Sequence, residues 1–187
     1  MKNRQIRNSL LLVLTALIWG SAFVAQRKGG DVVGPFTFNG IRSFIGSAVL
    51  VPVILVLNRV KPSEKTPKTP AEKTVLWVGG ICCGAILFLA SSAQQLGMYM
   101  GTSAGKAGFL TACYILLVPI LSLFLKKKCG WNIWVGMGIT VSGLYLLCMT
   151  DSLRFQASDL MVLLCALLFA IHILVIDYFS PLVDGVR

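Results

Sequence analysis

Carboxylates are scarce in this chain and histidine is nearly missing, with 7 Asp and Glu and a single His among 187 residues. Acid–base catalysis draws mostly on histidine or on paired carboxylates. Here Asp31, Asp151, Asp159, Asp177 and Asp184 fall at or beyond the ends of apolar stretches, and Glu64 and Glu72 lie in a proline-containing connection. His172 stands alone in the middle of an apolar stretch and reads as a hydrogen-bonded packing residue rather than a proton relay. No G-x-S-x-G, H-E-x-x-H or glycine-rich phosphate loop occurs. The six cysteines form no C-x-x-C pair and have no histidine beside them, which argues against a zinc site or disulfide framework. Cys82, Cys83, Cys113, Cys148 and Cys165 read as small packing residues inside apolar segments, and Cys129 as a reduced cytoplasmic thiol. The chain therefore reads as non-enzymatic, with no cofactor, metal or catalytic constellation.

Charge is also sparse, at 13% against the ~25% of soluble domains. Hydrophobic residues make up 56% and the mean hydropathy is +0.81, so the solvent is lipid. The 17 Lys and Arg lie mostly between apolar runs, without the basic and aromatic interleaving of a nucleic-acid surface. Six stretches are long enough to cross ~30 Å of hydrocarbon: 9–26, 35–57, 74–96, 103–125, 131–149 and 159–179. The predicted fold is an all-α, polytopic transmembrane helix bundle.

The run from Leu10 to Val24 has no A-x-A-like cleavage site and ends at Gln26-Arg27-Lys28, so it reads as a retained span rather than a signal peptide. A cytoplasmic N-terminus places Lys2, Arg4, Arg7, Arg59, Lys61, Lys65, Lys68, Lys73 and Lys126 to Lys128 inside, against only Arg27, Lys28 and Arg154 outside. That bias predicts the N-in orientation. The connection from Asn58 to Lys73 contains Pro62, Pro67 and Pro70 and reads as an extended tether. Its end, Thr69-Pro70-Ala71-Glu72, matches a capping box with proline at the first helical position.

Lipid gives helices no hydrophobic reason to associate, so small residues must let them approach. Gly80 and Gly84, Gly97 with Gly101 and Gly105, Ala104 with Gly108 and Ala112, and Gly138 with Ser142 form ridges at spacing four. Two cations, Arg42 and Lys106, lie inside spans, where a charge costs roughly 2.5–3.5 kcal/mol on insertion scales. Each either faces a water-filled cavity, ready for an anionic or carbonyl group, or is accommodated by snorkelling or internal pairing. Polar and aromatic residues at comparable depth are Trp19, Ser21, Asn39, Gln94, Gln95, Tyr99 and Tyr114, and Pro52 and Pro119 are expected to kink the second and fourth helices.

A weak internal repeat accompanies this pattern. Residues Val13 to Gly20 match Leu163 to Ala170 in class at a shift of 150, and the two spans run in opposite senses. Five helices followed by a like helix of opposite sense is how an inverted repeat of odd helix count begins.

Leu17-Ile18-Trp19-Gly20-Ser21-Ala22-Phe23-Val24, Gly34-Pro35-Phe36-Thr37-Phe38 leading to Ile41-Arg42, and Thr102-Ser103-Ala104-Gly105-Lys106-Ala107-Gly108-Phe109 leading to Val118-Pro119 resemble the EamA-type branch of the drug/metabolite transporter superfamily. The resemblance covers essentially the whole chain. It implies a ten-helix inner-membrane carrier of two inverted five-helix repeats, working by alternating access and often as an exporter of small metabolites. Residues 1–150 would be the first repeat and 151–187 the first helix of a second, with four helices missing after Arg187. The chain would then be an incomplete product or a short form that pairs with a second copy or a complementary chain. Candidate solute-binding residues are Trp19, Arg42, Gln95, Lys106 and Tyr114, the cations supplying positive charge and Trp19 and Tyr114 stacking surface. The rival expectation is a non-transporting membrane subunit that docks a partner chain. In either case the bilayer is a partner.

Overall fold

The computed structural model describes residues 2–60, 69–125, 130–148 and 156–182, and every regular element among them is an α-helix. In chain order these are α1 (Lys2–Val33), α2 (Pro35–Val60), α3 (Pro70–Tyr99), α4 (Ala104–Ala112), α5 (Tyr114–Phe124), α6 (Trp131–Cys148) and α7 (Ala157–Phe179). Among the described residues, five stretches are long and apolar enough to cross a membrane: Gln5–Val33, Pro35–Val60, Pro70–Tyr99, Ala104–Phe124 and Ala157–Phe179. The 18-residue α6 takes the place of the predicted fifth span. Lys61, Lys65, Lys68 and Lys126 to Lys128, on which the orientation argument leans, lie outside the described residues, as do Pro62, Pro67, Cys129 and Arg154.

Local chemistry explains most of the helix ends. α1 does not stop at Gln26-Arg27-Lys28 but continues to Val33, about one and a half turns further. The Arg27 and Asp31 side chains, 3.6 Å apart and one turn apart along the helix, bridge that extension. Gly34 then reverses the chain: its φ of +83° is the left-handed conformation that favours glycine, and its N–H donates to the Gly30 carbonyl at 3.0 Å. Pro35 follows as the first residue of α2, where its missing N–H costs nothing. The predicted capping box of α3 is present. The Glu72 N–H donates to the Thr69 hydroxyl at 3.2 Å, and the Thr69 N–H donates to the Glu72 carboxylate at 3.3 Å.

The fourth span differs from the single helix predicted for 103–125. It breaks at Cys113, whose N–H turns to the Leu110 carbonyl at 3.2 Å while its own carbonyl accepts from Leu116 at 3.0 Å, both at three-residue spacing. The tightening falls before the reach of Pro119, whose ring crowds the carbonyl four residues back, at Ile115.

Interhelical contacts fix the relative directions. α3 and α7 are antiparallel, because Gly79 faces Phe179 near one end and Gly97 faces Ser158 and Val162 near the other. A Cβ on Gly97 would stand 2.6 Å from Val162 Cγ2 and 2.9 Å from the Ser158 carbonyl oxygen, so only glycine lets the backbones come this close. By contrast α7 runs parallel to α4 and α5, touching them in register through Lys106 with Asp159 and then Tyr114 with Phe169.

The small-residue ridges behave differently from expectation. A Cβ on Gly80, Gly84, Gly105 or Gly138 would meet nothing within 4 Å. On α4 the buried stripe is Ala107, Leu110 and Thr111 rather than Ala104, Gly108 and Ala112, because polar ties to α7 and α3 pull that side inward. Met98, Ala107, Leu110 and Val162 form the tight core there, with Phe23, Phe109 and Leu163 packed on it.

Candidate functional site

Burial is concentrated where the end of α3 meets the starts of α4 and α7. Asp159, in the first turn of α7, is fully buried yet fully engaged. Its Oδ2 lies 2.5 Å from Lys106 Nζ and accepts the Gln156 N–H at 2.8 Å, while Oδ1 accepts from the Thr102 hydroxyl at 3.0 Å. A carboxylate there also complements the partial positive charge of the α7 N-terminus. In the sequence Asp159 falls at a span end, where a carboxylate draws no notice. The available signal was Lys106 itself, since a cation within a span needs a nearby anion.

Deeper along the same interface, Gln94 Nε2 donates to Thr111 Oγ1 at 2.9 Å, and Cys165 of α7 is fully buried. Gln95, only 1% exposed, donates through Nε2 to the Gln26 carbonyl at 2.9 Å, tying α3 to α1. It approaches Gly30 so closely that a Cβ there would lie 2.3 Å from its nitrogen. Of the predicted site residues, Lys106 and Gln95 are thus engaged in helix-to-helix ties.

Trp19 and Arg42 are placed differently. A cavity of about 480 Å³, within the range of small-molecule sites, opens between α1, α2 and α3 and reaches Phe169 on α7. Trp19 and Gln26 contribute from α1, Arg42 and Ser43 from α2, and Phe88 and Gln94 from α3. Tyr114 stands behind this wall, its ring 6.3 Å from the Phe169 ring at an angle of 48°. Ser21 instead donates to its own helix at the Ile18 carbonyl, and Tyr99 is half exposed at the end of α3.

Arg42 is oriented by a relay from two helices. Its Nη2 donates to Asn39 Oδ1 at 3.0 Å, and Asn39 Nδ2 donates to Ser92 Oγ of α3 at 3.0 Å. Asn39 is 1% exposed, so the amide is buried beside the lining residue Arg42 rather than on the lining itself. The ion pairs among the described residues are Arg27 with Asp31 and Lys106 with Asp159, and neither involves Arg42. The cavity therefore presents a guanidinium held by a neutral amide, with apolar rings around it and no carboxylate among the described residues that line it.

A bundle of apolar helices around a cavity with one oriented cation suits solute binding within a membrane. Residues 7–149 match the EamA-like transporter family. The chain belongs to that family. Among its relatives, an uncharacterized transporter of Archaeoglobus fulgidus is 30% identical over 180 residues, covering 96% of this chain and 52% of the relative. The uncharacterized transporter YoaV of Bacillus subtilis is 27% identical over 180 residues, covering 95% of this chain and 58% of the relative. The chain thus spans little more than half the length of these relatives. No solved structure matches it.

Proposed function

We propose that this chain forms part of a secondary carrier that moves a small anionic metabolite across the inner membrane by alternating access, in the export direction, with its N-terminus cytoplasmic. The observation that carries the reading is Arg42: a cation at membrane depth on a cavity wall, held by Asn39 and without a carboxylate partner among the described residues. A bound anion would supply the missing charge. Membership of a transporter family supports transport over catalysis. We also infer that residues 1–150 form one five-helix repeat and 151–187 open a second, which would complete the cavity wall from further helices of a longer chain, a second copy or a complementary chain.

Counterflow of labelled organic anions in proteoliposomes tests the proposal. Arg42→Gln is expected to abolish flux while the helical content, read by circular dichroism, is unchanged. If no flux is seen in any oligomeric state and Arg42→Gln alters stability alone, the chain is a non-transporting subunit.

A further inference from the structure

The reading above leaves open what accompanies the anionic group. Three aromatic rings from three helices converge on the cavity: Trp19 of α1, Phe88 of α3 and Phe169 of α7. Two of them are related. At the 150-residue shift that aligns Val13 to Gly20 with Leu163 to Ala170, Trp19 corresponds to Phe169. The helices bearing them run in opposite senses, since Gln26 of α1 meets Gln95 near the end of α3, whereas α7 is antiparallel to α3. The repeat-related positions thus put one ring on each of two opposing helices facing a single space.

The polar lining is equally selective. It offers a guanidinium, two glutamine amides and two serine hydroxyls, from Arg42, Gln26, Gln94, Ser43 and Ser91, and, among the described residues, no carboxylate to receive an ammonium group. Asn39 completes this arrangement. As an amide it orients Arg42 without neutralising it, which an aspartate in the same place would do.

We infer that the cavity selects an aromatic monoanion, its carboxylate on Arg42 and its ring between Trp19 and Phe169, with Phe88 alongside. Planar rings stack on aromatic faces in offset or tilted geometry, a preference that a flexible aliphatic tail of similar hydrophobicity does not share. The inference rests on the anion-carrier reading and adds a body to the anion.

The 187-residue chain in lipid nanodiscs, equilibrated by dialysis against labelled phenylacetate, hexanoate or phenethylamine, provides the test. Site binding is the part removed by Arg42→Gln. Phenylacetate is expected to bind at least tenfold more tightly than hexanoate, with no site binding of phenethylamine. Trp19→Leu and Phe169→Leu are each expected to bring the ratio of phenylacetate to hexanoate affinity from at least tenfold down to below about threefold. Asn39→Asp is expected to weaken both anions at least tenfold. Equal binding of phenylacetate and hexanoate would overturn the aromatic selectivity and leave the anion reading standing. A helical, folded chain that binds neither anion through Arg42, or that binds phenethylamine in their place, overturns both.

Discussion

The two intramembrane cations have opposite surroundings, and the difference lies in their partners. Lys106 is paired with a carboxylate that has no exposure of its own, whereas Arg42 is braced only by an amide. Removing one member of a buried pair leaves an uncompensated charge, at a cost of about 3–5 kcal/mol, while replacing both with apolar groups is often neutral. Lys106→Met is therefore expected to destabilise the chain by about that amount in detergent-based reversible unfolding. The Lys106→Met/Asp159→Leu double variant is expected to recover most of the loss. A double variant no better than the single would show that Thr102 and Gln156, also bonded to Asp159, carry the interaction. Arg42→Gln removes no ion pair among the described residues, so its effect on unfolding is expected to stay within about 1 kcal/mol, the scale of one net hydrogen bond. From sequence both cations required an explanation. Which was paired was not legible, because Asp159 lies 53 positions from Lys106 and meets it only once α7 packs parallel to α4.

At the scale of the helix, glycine spacing and glycine function part company. A residue at every fourth position marks one face of a helix, but it does not say whether another helix occupies that face. Gly97 has a neighbour within contact distance and Gly138 has none within 4 Å. Gly97→Val is expected to force α3 and α7 apart and cost at least the 1–3 kcal/mol typical of overpacking. Gly138→Ala, in the interior of α6, is expected to raise stability by up to ~1 kcal/mol through helix propensity. Both are measurable as shifts of the unfolding midpoint, and equal effects would contradict the packing described for α3 and α7. The helix starts were more readable than the contacts. Thr69, Pro70 and Glu72 specify the beginning of α3 through bonds among themselves, so no distant residue is needed. Thr69→Ala is expected to cost about 1 kcal/mol, the usual worth of an N-cap side chain. The end of α1 was misread because Arg27 and Lys28 resemble a membrane boundary. The left-handed Gly34 followed by Pro35 is the real stop, and that pair was present in the sequence.

Across the whole molecule, helix directions provide a check on threading that is independent of loop charge. α1 and α3 run one way, α2 and α7 the other, and α7 lies parallel to α4 and α5, as strict alternation of six crossings requires. Apolar length made five of the six predicted spans legible in the sequence, those of α1, α2, α3, α4 with α5, and α7. The cavity was not legible, since it depends on α1, α2 and α3 leaving space between them and on Phe169 arriving from α7. Alternation does not itself say which end faces the cytoplasm. The proposed cytoplasmic N-terminus rests on the loop lysines, because cations tend to be retained on that side. Val33, Ser103 and Gln156 mark one end of the bundle and Glu72 the other. In a background with the six native cysteines replaced, Val33→Cys, Ser103→Cys and Gln156→Cys are expected to react with a membrane-impermeant maleimide added to intact cells. Glu72→Cys is expected to react only after permeabilisation. Labelling of Glu72→Cys alone from outside would invert the orientation while keeping the threading. Mixed accessibility among Val33, Ser103 and Gln156 would break the threading, and with it the geometry that brings Trp19 and Phe169 to the same cavity.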